Sequence, residues 1–253
     1  MPTTVLITGG NRGLGKALAE AYLSVPDTTV IATVRDTAKA DAALSPLPKA
    51  SGSRVLTVYM EMGSFDTITA GVETLKTTHN ITSIDIAIAN AGLVGPTLGL
   101  ANTPSSQLQP FIDVNAYGPF ELFKAVLPLL RASTAETKGK FIYVSSGIAS
   151  LNGMLNILPI AGYGASKALA NYLFKWLALD NKDVIVYSCD PGLVDSDGVR
   201  EHLEQAKALG LDMSLFSFSP ADEVARAMQK SIAAANESSS GQFLSKEGTQ
   251  MPW

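Results

Sequence analysis

Tyr163 and Lys167 stand four residues apart, the spacing that sets two side chains beside each other on a helix surface. An ammonium next to a phenol favours the phenolate, so the pair is expected to lower the tyrosine's pKa from its ordinary value of about 10. A phenol tuned in this way gives a proton to a carbonyl or takes one from an alcohol. A surface lysine beside a half-buried tyrosine has the same spacing. A second candidate lies near the start of the chain. Thr4-Val5-Leu6-Ile7-Thr8 runs into Gly9, Gly13 and Gly15, and Leu14, Ala17, Leu18, Ala21 and Tyr22 then recur on one helical face. Strand, tight turn and helix in that order make a cradle for a diphosphate. Glycine lets the backbone approach a phosphate closely, and the helix start offers free N–H groups and a positive dipole end. A turn that serves packing alone shows the same glycines.

These residues need a scaffold, and the chain alternates strand-like and helical patterns almost throughout. Strands are expected at 4–8, 28–34, 54–60, 84–89, 140–145, 183–188 and 241–244. Helices are expected near 13–24, 37–44, 64–79, 105–132, 161–180 and 219–235. Strands such as Ile84-Asp85-Ile86-Ala87-Ile88-Ala89 are apolar nearly throughout, as in a parallel sheet covered by helices on both faces. Repeated β-α-β units imply right-handed crossovers and one doubly wound α/β domain. Ligands of such sheets lie beyond the carboxyl ends of the strands. The notable polar residues collect there: Asn11, Arg12, Arg35, Asn90, Ser145, Ser146 and Asp190-Pro191-Gly192. Ala165, Ala168, Leu169, Tyr172, Leu173 and Trp176 form the expected apolar face of the helix that begins at Tyr163.

Composition narrows the function classes. The chain has 253 residues, 46% hydrophobic and 17% charged, which fits a folded domain with a large core. Its net charge of −4 speaks against nucleic acid as a partner. The single cysteine, Cys189, forms no internal disulfide and is expected to be buried. His79 and His202 have no neighbours at ligand spacing, so no metal site is expected. No apolar run has the length of a membrane span, and a strand begins almost at once, so a cytoplasmic enzyme with no membrane association is the expectation.

Several segments in order resemble the short-chain dehydrogenase/reductase family. Thr8-Gly9-Gly10-Asn11-Arg12-Gly13-Leu14-Gly15 resembles its TGxxxGxG cofactor motif, and Asn90-Ala91-Gly92 its NAG motif. Asn115, Ser146 in Val144-Ser145-Ser146, Tyr163 with Lys167, and Pro191-Gly192 match its remaining signatures. The resemblance implies a single-domain doubly wound Rossmann fold over 1–253, with a mainly parallel sheet of about seven strands. It implies a proton from Tyr163 to a carbonyl oxygen, stabilisation of that oxygen by Ser146, and a double role for Lys167, on the phenol and on the nicotinamide ribose. It gives Asn115 a backbone-held water that links Lys167 to solvent; an asparagine that merely caps the core is the alternative. Ser145 rivals Ser146, because seventeen residues separate Ser146 from Tyr163, a few more than is commonest in the family. A narrower resemblance, in the opening and in Gly241-Gln242-Phe243…Glu247-Gly248…Pro252-Trp253, points to carbonyl reductases of the sniffer type and fungal ketoreductases of the norsolorinic acid type.

The resemblance also frames cofactor choice. Family members specific for NAD carry an acid at the tip of strand two; here Val34 and then Arg35 stand there, with Arg12 in the glycine loop. Two guanidinium groups that fork onto a 2′-phosphate favour NADP, NADPH in the reducing direction. Asp36, turned inward, would serve a ribose instead. Further expected cofactor contacts are Leu14, Glu61, Met62, Ala91, Gly92, Pro191, Gly192 and Val194, beside Gly9, Asn11, Gly13, Gly15, Asn90, Tyr163 and Lys167. Segments 147–160 and 193–218, with Met213, Leu215, Phe216 and Phe218, are expected to wall a substrate pocket together with Leu93 and Val94. Such a pocket suits an aromatic or polyketide-type ketone. The apolar faces of the helices at 105–132 and from Tyr163 onward are the surfaces such enzymes use to form a homodimer or homotetramer; the same apolar residues would be core in a monomer. The leading reading is an NADPH-dependent ketoreductase. Its rivals are a fold relative that catalyses a redox-neutral cyclisation or isomerisation, and a non-catalytic NADP sensor.

Overall fold

The computed structural model describes residues 2–97, 99–154, 159–196 and 217–253. Seven parallel strands form the central sheet: β1 (Thr3–Thr8), β2 (Thr28–Val34), β3 (Arg54–Tyr59), β4 (Ile86–Ala89), β5 (Lys140–Val144), β6 (Ile185–Asp190) and β9 (Phe243–Ser245). Their order is β3-β2-β1-β4-β5-β6-β9. Between β1 and β4 the winding reverses, and the strand ends splay there into a crevice. The short strands β7 (Val194–Asp195) and β8 (Ser219–Pro220), which the sequence pattern did not suggest, pair apart from this sheet.

Alternation along the strands builds two cores. Leu6, Ile31, Phe141 and Tyr143 face one side, where α3 (Phe65–Thr77), α5 (Gly118–Arg131) and α6 (Ala161–Asp180) cover them. Val5, Ile7, Val30 and Ala32 face the other, under α1 (Gly13–Leu23), α2 (Thr37–Leu44) and α7 (Ala221–Ala234). Burial on both faces is why these strands read as continuous apolar runs. Aromatic packing on the first side is dense. Tyr143 stacks on Phe174 at 4.8 Å, and Phe174 on Phe141 at 5.3 Å.

Three expectations need correction. Strand β4 starts at Ile86, two residues later than expected, and the Asp85 carboxylate just before it accepts from Thr4 N and Ser133 Oγ. The helix expected over 105–132 is two helices, α4 (Ser105–Ile112) and α5, joined by a π-turn at Asp113–Tyr117. Pro119 has no N–H to give the Asn115 carbonyl, so the ladder slips and Gly118 N–H bonds Asp113 instead. The buried side of α6 is also not the expected one. It carries Ser166, Lys167, Ala170, Asn171, Phe174 and Ala178, whereas Tyr172 and Trp176 are 64% and 55% exposed.

Candidate active site

A cleft of about 410 Å³ opens at the carboxyl ends of β1, β2, β3 and β4. Its floor is the glycine turn. Gly9 has φ +66°, in the left-handed region, and a Cβ on Gly15 would lie 2.2 Å from the Gly9 carbonyl, so the helix start can close onto the strand end only without side chains. Asn90 and Ala91 lock this turn to β4: Asn90 Nδ2 donates to the Thr8 carbonyl at 2.9 Å and Ala91 N to Thr8 Oγ1 at 2.8 Å. Among the described residues no side chain caps α1, and no acid lies in its first turn, so its first N–H groups suit an anion.

Of the expected cofactor contacts, Gly9, Asn11, Arg12, Gly13, Leu14, Gly15, Arg35, Glu61, Met62, Asn90, Ala91 and Gly92 line this cleft. Val34 lines it too. Asp36 is not among the lining residues. Its carboxylate accepts the Lys39 N–H at 2.9 Å and caps α2. Pro191, Gly192 and Val194 are not among the lining residues; they follow β6, where Val194 enters the small β7–β8 pair. Thr33 and Ser196 line the cleft without having been expected. The Thr33 hydroxyl is buried with no partner among the described residues, a polar atom left for a ligand. The sequence carried this signal, since Thr33 is the polar residue within the apolar stretch from Val30 to Val34.

At one end of the cleft the presumptive acid–base group assembles. A Cβ built on Gly92 would lie 3.2 Å from Asn115 Oδ1 and 3.7 Å from Lys167 Nζ. Lys167 Nζ donates to the Val144 carbonyl at 2.7 Å, and stands 4.7 Å from the Tyr143 ring centroid and 5.7 Å from that of Tyr163. An ammonium has three donors, and among the described residues one hydrogen bond is made, so capacity remains for ribose hydroxyls. The two serines separate cleanly. Ser145 Oγ, buried, donates to Asn171 Oδ1 at 2.7 Å, whereas Ser146 is the serine whose hydroxyl acts on the Tyr163 phenol and lowers its pKa.

The electrostatics differ from the sequence expectation. Burial pushes the Tyr163 phenol up to about 12; the Ser146 hydrogen bond lowers it, and the charge of Asp190 raises it. Burial also brings Lys167 down to about 7. At both groups desolvation is the largest cause, and Lys167 is not among the causes that act on the phenol. Asn115 is buried. Its amide accepts from Leu93 N at 2.7 Å and donates to Leu93 O at 2.8 Å and Ser166 Oγ at 2.9 Å. Its carbonyl, freed by Pro119, accepts the Tyr143 hydroxyl at 2.8 Å and keeps a second lone pair for the water that the resemblance implies. The substrate-wall residues Met213, Leu215 and Phe216 lie outside the described residues. Leu93, Leu151 and Met154 are exposed, at 38%, 69% and 60%. Cys189 is buried, and burial raises its thiol pKa. No helix among the described residues is long and apolar enough to cross a membrane.

A family model described as short chain dehydrogenase matches residues 3–207. The short chain dehydrogenase gsfK of Penicillium aethiopicum is 58% identical over 253 residues, 100% of both chains. The norsolorinic acid ketoreductase of Aspergillus parasiticus is 34% identical over 255 residues, 99% of this chain and 91% of that protein. Among solved structures, an NADPH-bound carbonyl reductase from chicken fatty liver superposes with a TM-score of 0.83 at 24% identity, covering 100% of each chain. The chain therefore belongs to the short-chain dehydrogenase family and is an oxidoreductase acting on carbonyl or hydroxyl groups.

Proposed function

We propose that the protein is an NADPH-dependent ketoreductase for an aromatic or polyketide-type ketone, with Tyr163 as proton donor. The observation that carries this reading is the buried Lys167 Nζ, which stands 5.7 Å from the Tyr163 ring centroid and within 3.7 Å of a Cβ built on Gly92, a residue of the cleft. When bound, the dihydronicotinamide supplies hydride to the carbonyl carbon. Tyr163 gives its proton to the carbonyl oxygen, and Ser146 bonds the same oxygen as charge builds on it. The remaining Lys167 donors suit the ribose hydroxyls. Arg12 and Arg35, both lining the cleft, suit the 2′-phosphate, and Val34 leaves the place of a competing acid apolar. The exposed Leu93, Leu151 and Met154 offer apolar surface for a ring system. The relative named norsolorinic acid ketoreductase supports a ketone as substrate. We also propose that the exposed face of α6 pairs two copies of the chain.

The test is NADPH consumption over a panel of ketones by the native protein and by Tyr163→Phe. The native protein should oxidise NADPH with aromatic ketones. Tyr163→Phe should lose a factor of about a hundred or more in kcat while NADPH affinity stays within a few-fold. A variant that keeps most of the native kcat would remove Tyr163 as the acid. NADPH bound but never consumed, by any ketone, would favour a sensor or a redox-neutral enzyme.

A further inference from the structure

After β9 the chain doubles back and brings Trp253 beside the loop that follows Ser146. Ser245 N–H donates to the Thr249 carbonyl and Met251 N–H to the Phe243 carbonyl, both at 2.8 Å, and Leu244 pairs antiparallel with Gln250. Gly248, at φ +85°, makes the turn. The Trp253 ring then lies 5.8 Å from the Phe243 ring, and Lys175 Nζ on α6 stands 4.1 Å from its centroid. Phe243 is fully buried, so Trp253 is anchored to the sheet as well as to the helix.

The main-chain oxygen of Trp253 faces the loop. It accepts the Asn152 N–H at 3.0 Å and the Ser150 hydroxyl at 3.3 Å. The Ser150 oxygen in turn accepts the Gly153 N–H at 2.9 Å. Among the described residues, the two bonds to Trp253 are the hydrogen bonds that tie 150–153 to a distant part of the chain. Nearer to Ser146 the loop rests on α6. A Cβ on Gly164 would lie 3.2 Å from Ile148 Cγ1 and 3.3 Å from the Ile148 carbonyl oxygen, so the glycine next to Tyr163 lets the loop pack this closely. The loop is thus held twice, beside Tyr163 by Gly164 and further out by Trp253. At its outer part Ser150 is buried, while the apolar Leu151 and Met154 are exposed.

We propose that Trp253 is a positioning residue for substrate preference: it holds the loop so that Leu151 and Met154 wall the space taken by a ring-bearing ketone. The inference rests on the ketoreductase reading above and deepens it. Trp253 acts through the loop and not on the reacting atoms. Without its ring, the oxygen that holds Ser150 and Asn152 loses its anchor on Phe243 and Lys175. The wall is then in place for only part of the time, and affinity for a ketone that needs the wall falls by that fraction. A small ketone that meets Tyr163 and Ser146 without touching the wall is spared. Chemistry after binding is spared as well, because the end of β5 that leads into Ser146 is fixed separately, by the Ser145 bond to Asn171.

The experiment compares Trp253→Ala, Trp253→Phe and Ser150→Ala with the native protein, on a naphthyl methyl ketone and on butanone. Trp253→Ala should raise KM for the naphthyl ketone about tenfold and leave its kcat within about twofold, the pattern of lost binding with intact chemistry. KM for butanone and NADPH affinity should also stay within about twofold, since neither depends on the wall. Trp253→Phe, which keeps a ring beside Phe243 and Lys175, should restore most of the native KM. Ser150→Ala should raise the same KM, and adding it to Trp253→Ala should change little more, because both act through one hold. Hydrogen exchange on ligand-free protein gives a readout apart from turnover. The amides of 150–153 should exchange faster in Trp253→Ala, while those of the glycine turn stay as in the native protein. Unchanged exchange at 150–153 would overturn the inference. So would faster exchange with an unmoved KM for the naphthyl ketone, or equal losses with both ketones. If Trp253→Ala does not fold, Ser150→Ala carries the same comparison. No turnover of any ketone by the native protein would instead overturn the ketoreductase reading, and exchange alone would then decide whether Trp253 holds the loop.

Discussion

Lys167 shows burial and charge in direct competition. An unfolded lysine titrates near 10.5, and this one titrates at about 7 in the fold. Between those values the unfolded chain holds a proton that the folded chain lacks. Stability contributed by this group therefore rises with pH through that window, by at most about 1.4 kcal/mol per pH unit, and is flat below it. The difference in unfolding free energy between native protein and Lys167→Met should grow from pH 7 to 9.5 and stay constant from pH 5 to 6.5. Urea denaturation at each pH measures it; a constant difference across the whole range would mean that Lys167 is not buried as described. Cofactor choice is the second matter at this scale. One charge-assisted bond contributes about 1.5–3 kcal/mol, so Arg12 and Arg35 should give roughly a ten- to hundredfold preference for NADPH or more. Val34→Asp with Arg35→Ala should reverse it, since a carboxylate repels the phosphate and accepts from a free ribose hydroxyl. kcat/KM with both cofactors is the measurement, and equal native use of NADH and NADPH would refute the arginine reading. Residue types and spacing were enough to propose Tyr163, Lys167 and the glycine cradle. They were not enough to rank Ser145 against Ser146, because neighbours in sequence leave a strand end in opposite directions and only the fold shows that Ser145 turns inward to Asn171. Nor did they anticipate the pKa of Tyr163, which burial sets and sequence does not display.

The strands and most helices were legible in the sequence because period and apolar run length dominate there, whereas the break between α4 and α5 was not. A 28-residue apolar pattern hides the slip at Asp113–Tyr117, although Gly118-Pro119, placed just past Asn115, already forbids a regular ladder. The consequence is chemical as well as geometric. The freed Asn115 carbonyl takes the Tyr143 hydroxyl, joining the π-turn to β5 under Lys167. A second tie joins β5 to α6. Lys167 Nζ bonds the Val144 carbonyl, and Ser145 Oγ bonds Asn171 Oδ1, both at 2.7 Å. This clasp fixes the end of β5, with Ser146, against the turn of α6 that bears Tyr163. Asn171→Ala leaves the buried Ser145 hydroxyl without its acceptor, at about 1–3 kcal/mol, or roughly 2–4 °C in Tm per kcal/mol for a chain of this size. It should lower kcat while NADPH affinity is retained, because the cradle lies on other strands. Thermal unfolding, steady-state kinetics and cofactor titration together check this. Loss of NADPH affinity equal to the loss of kcat would show that the clasp supports the whole cleft and not the serine.

At the scale of the molecule, α6 turns one side to the sheet and leaves an apolar strip outside. Tyr172, Trp176 and Leu179 are 64%, 55% and 54% exposed, and the first two rings stack at 6.3 Å. The sequence pattern marked Tyr172 and Trp176 as apolar-face residues and assigned that face to the core or to a subunit contact. Periodicity alone does not separate the two, because it reports which side is apolar and not what lies against it. The actual core side of α6 carries small and polar residues that serve the site, including Ser166, Lys167 and Asn171. An apolar strip in water is a surface that a partner covers, and a second copy meeting it about a two-fold axis would set Trp176 near its own equivalent. Trp176→Glu places two carboxylates in that contact and removes a ring of the kind that dominates interfaces, where truncation costs about 2 kcal/mol or more, or roughly thirtyfold in dissociation constant. Native protein should sediment as a dimer or a multiple of it, and Trp176→Glu as a monomer at the same concentration. Tyr163, Ser146, Lys167 and the cleft all belong to one chain, so the monomer should keep native NADPH affinity and measurable turnover. Unchanged sedimentation in Trp176→Glu would place the subunit contact elsewhere, and monomeric native protein would leave the strip without a second copy to cover it.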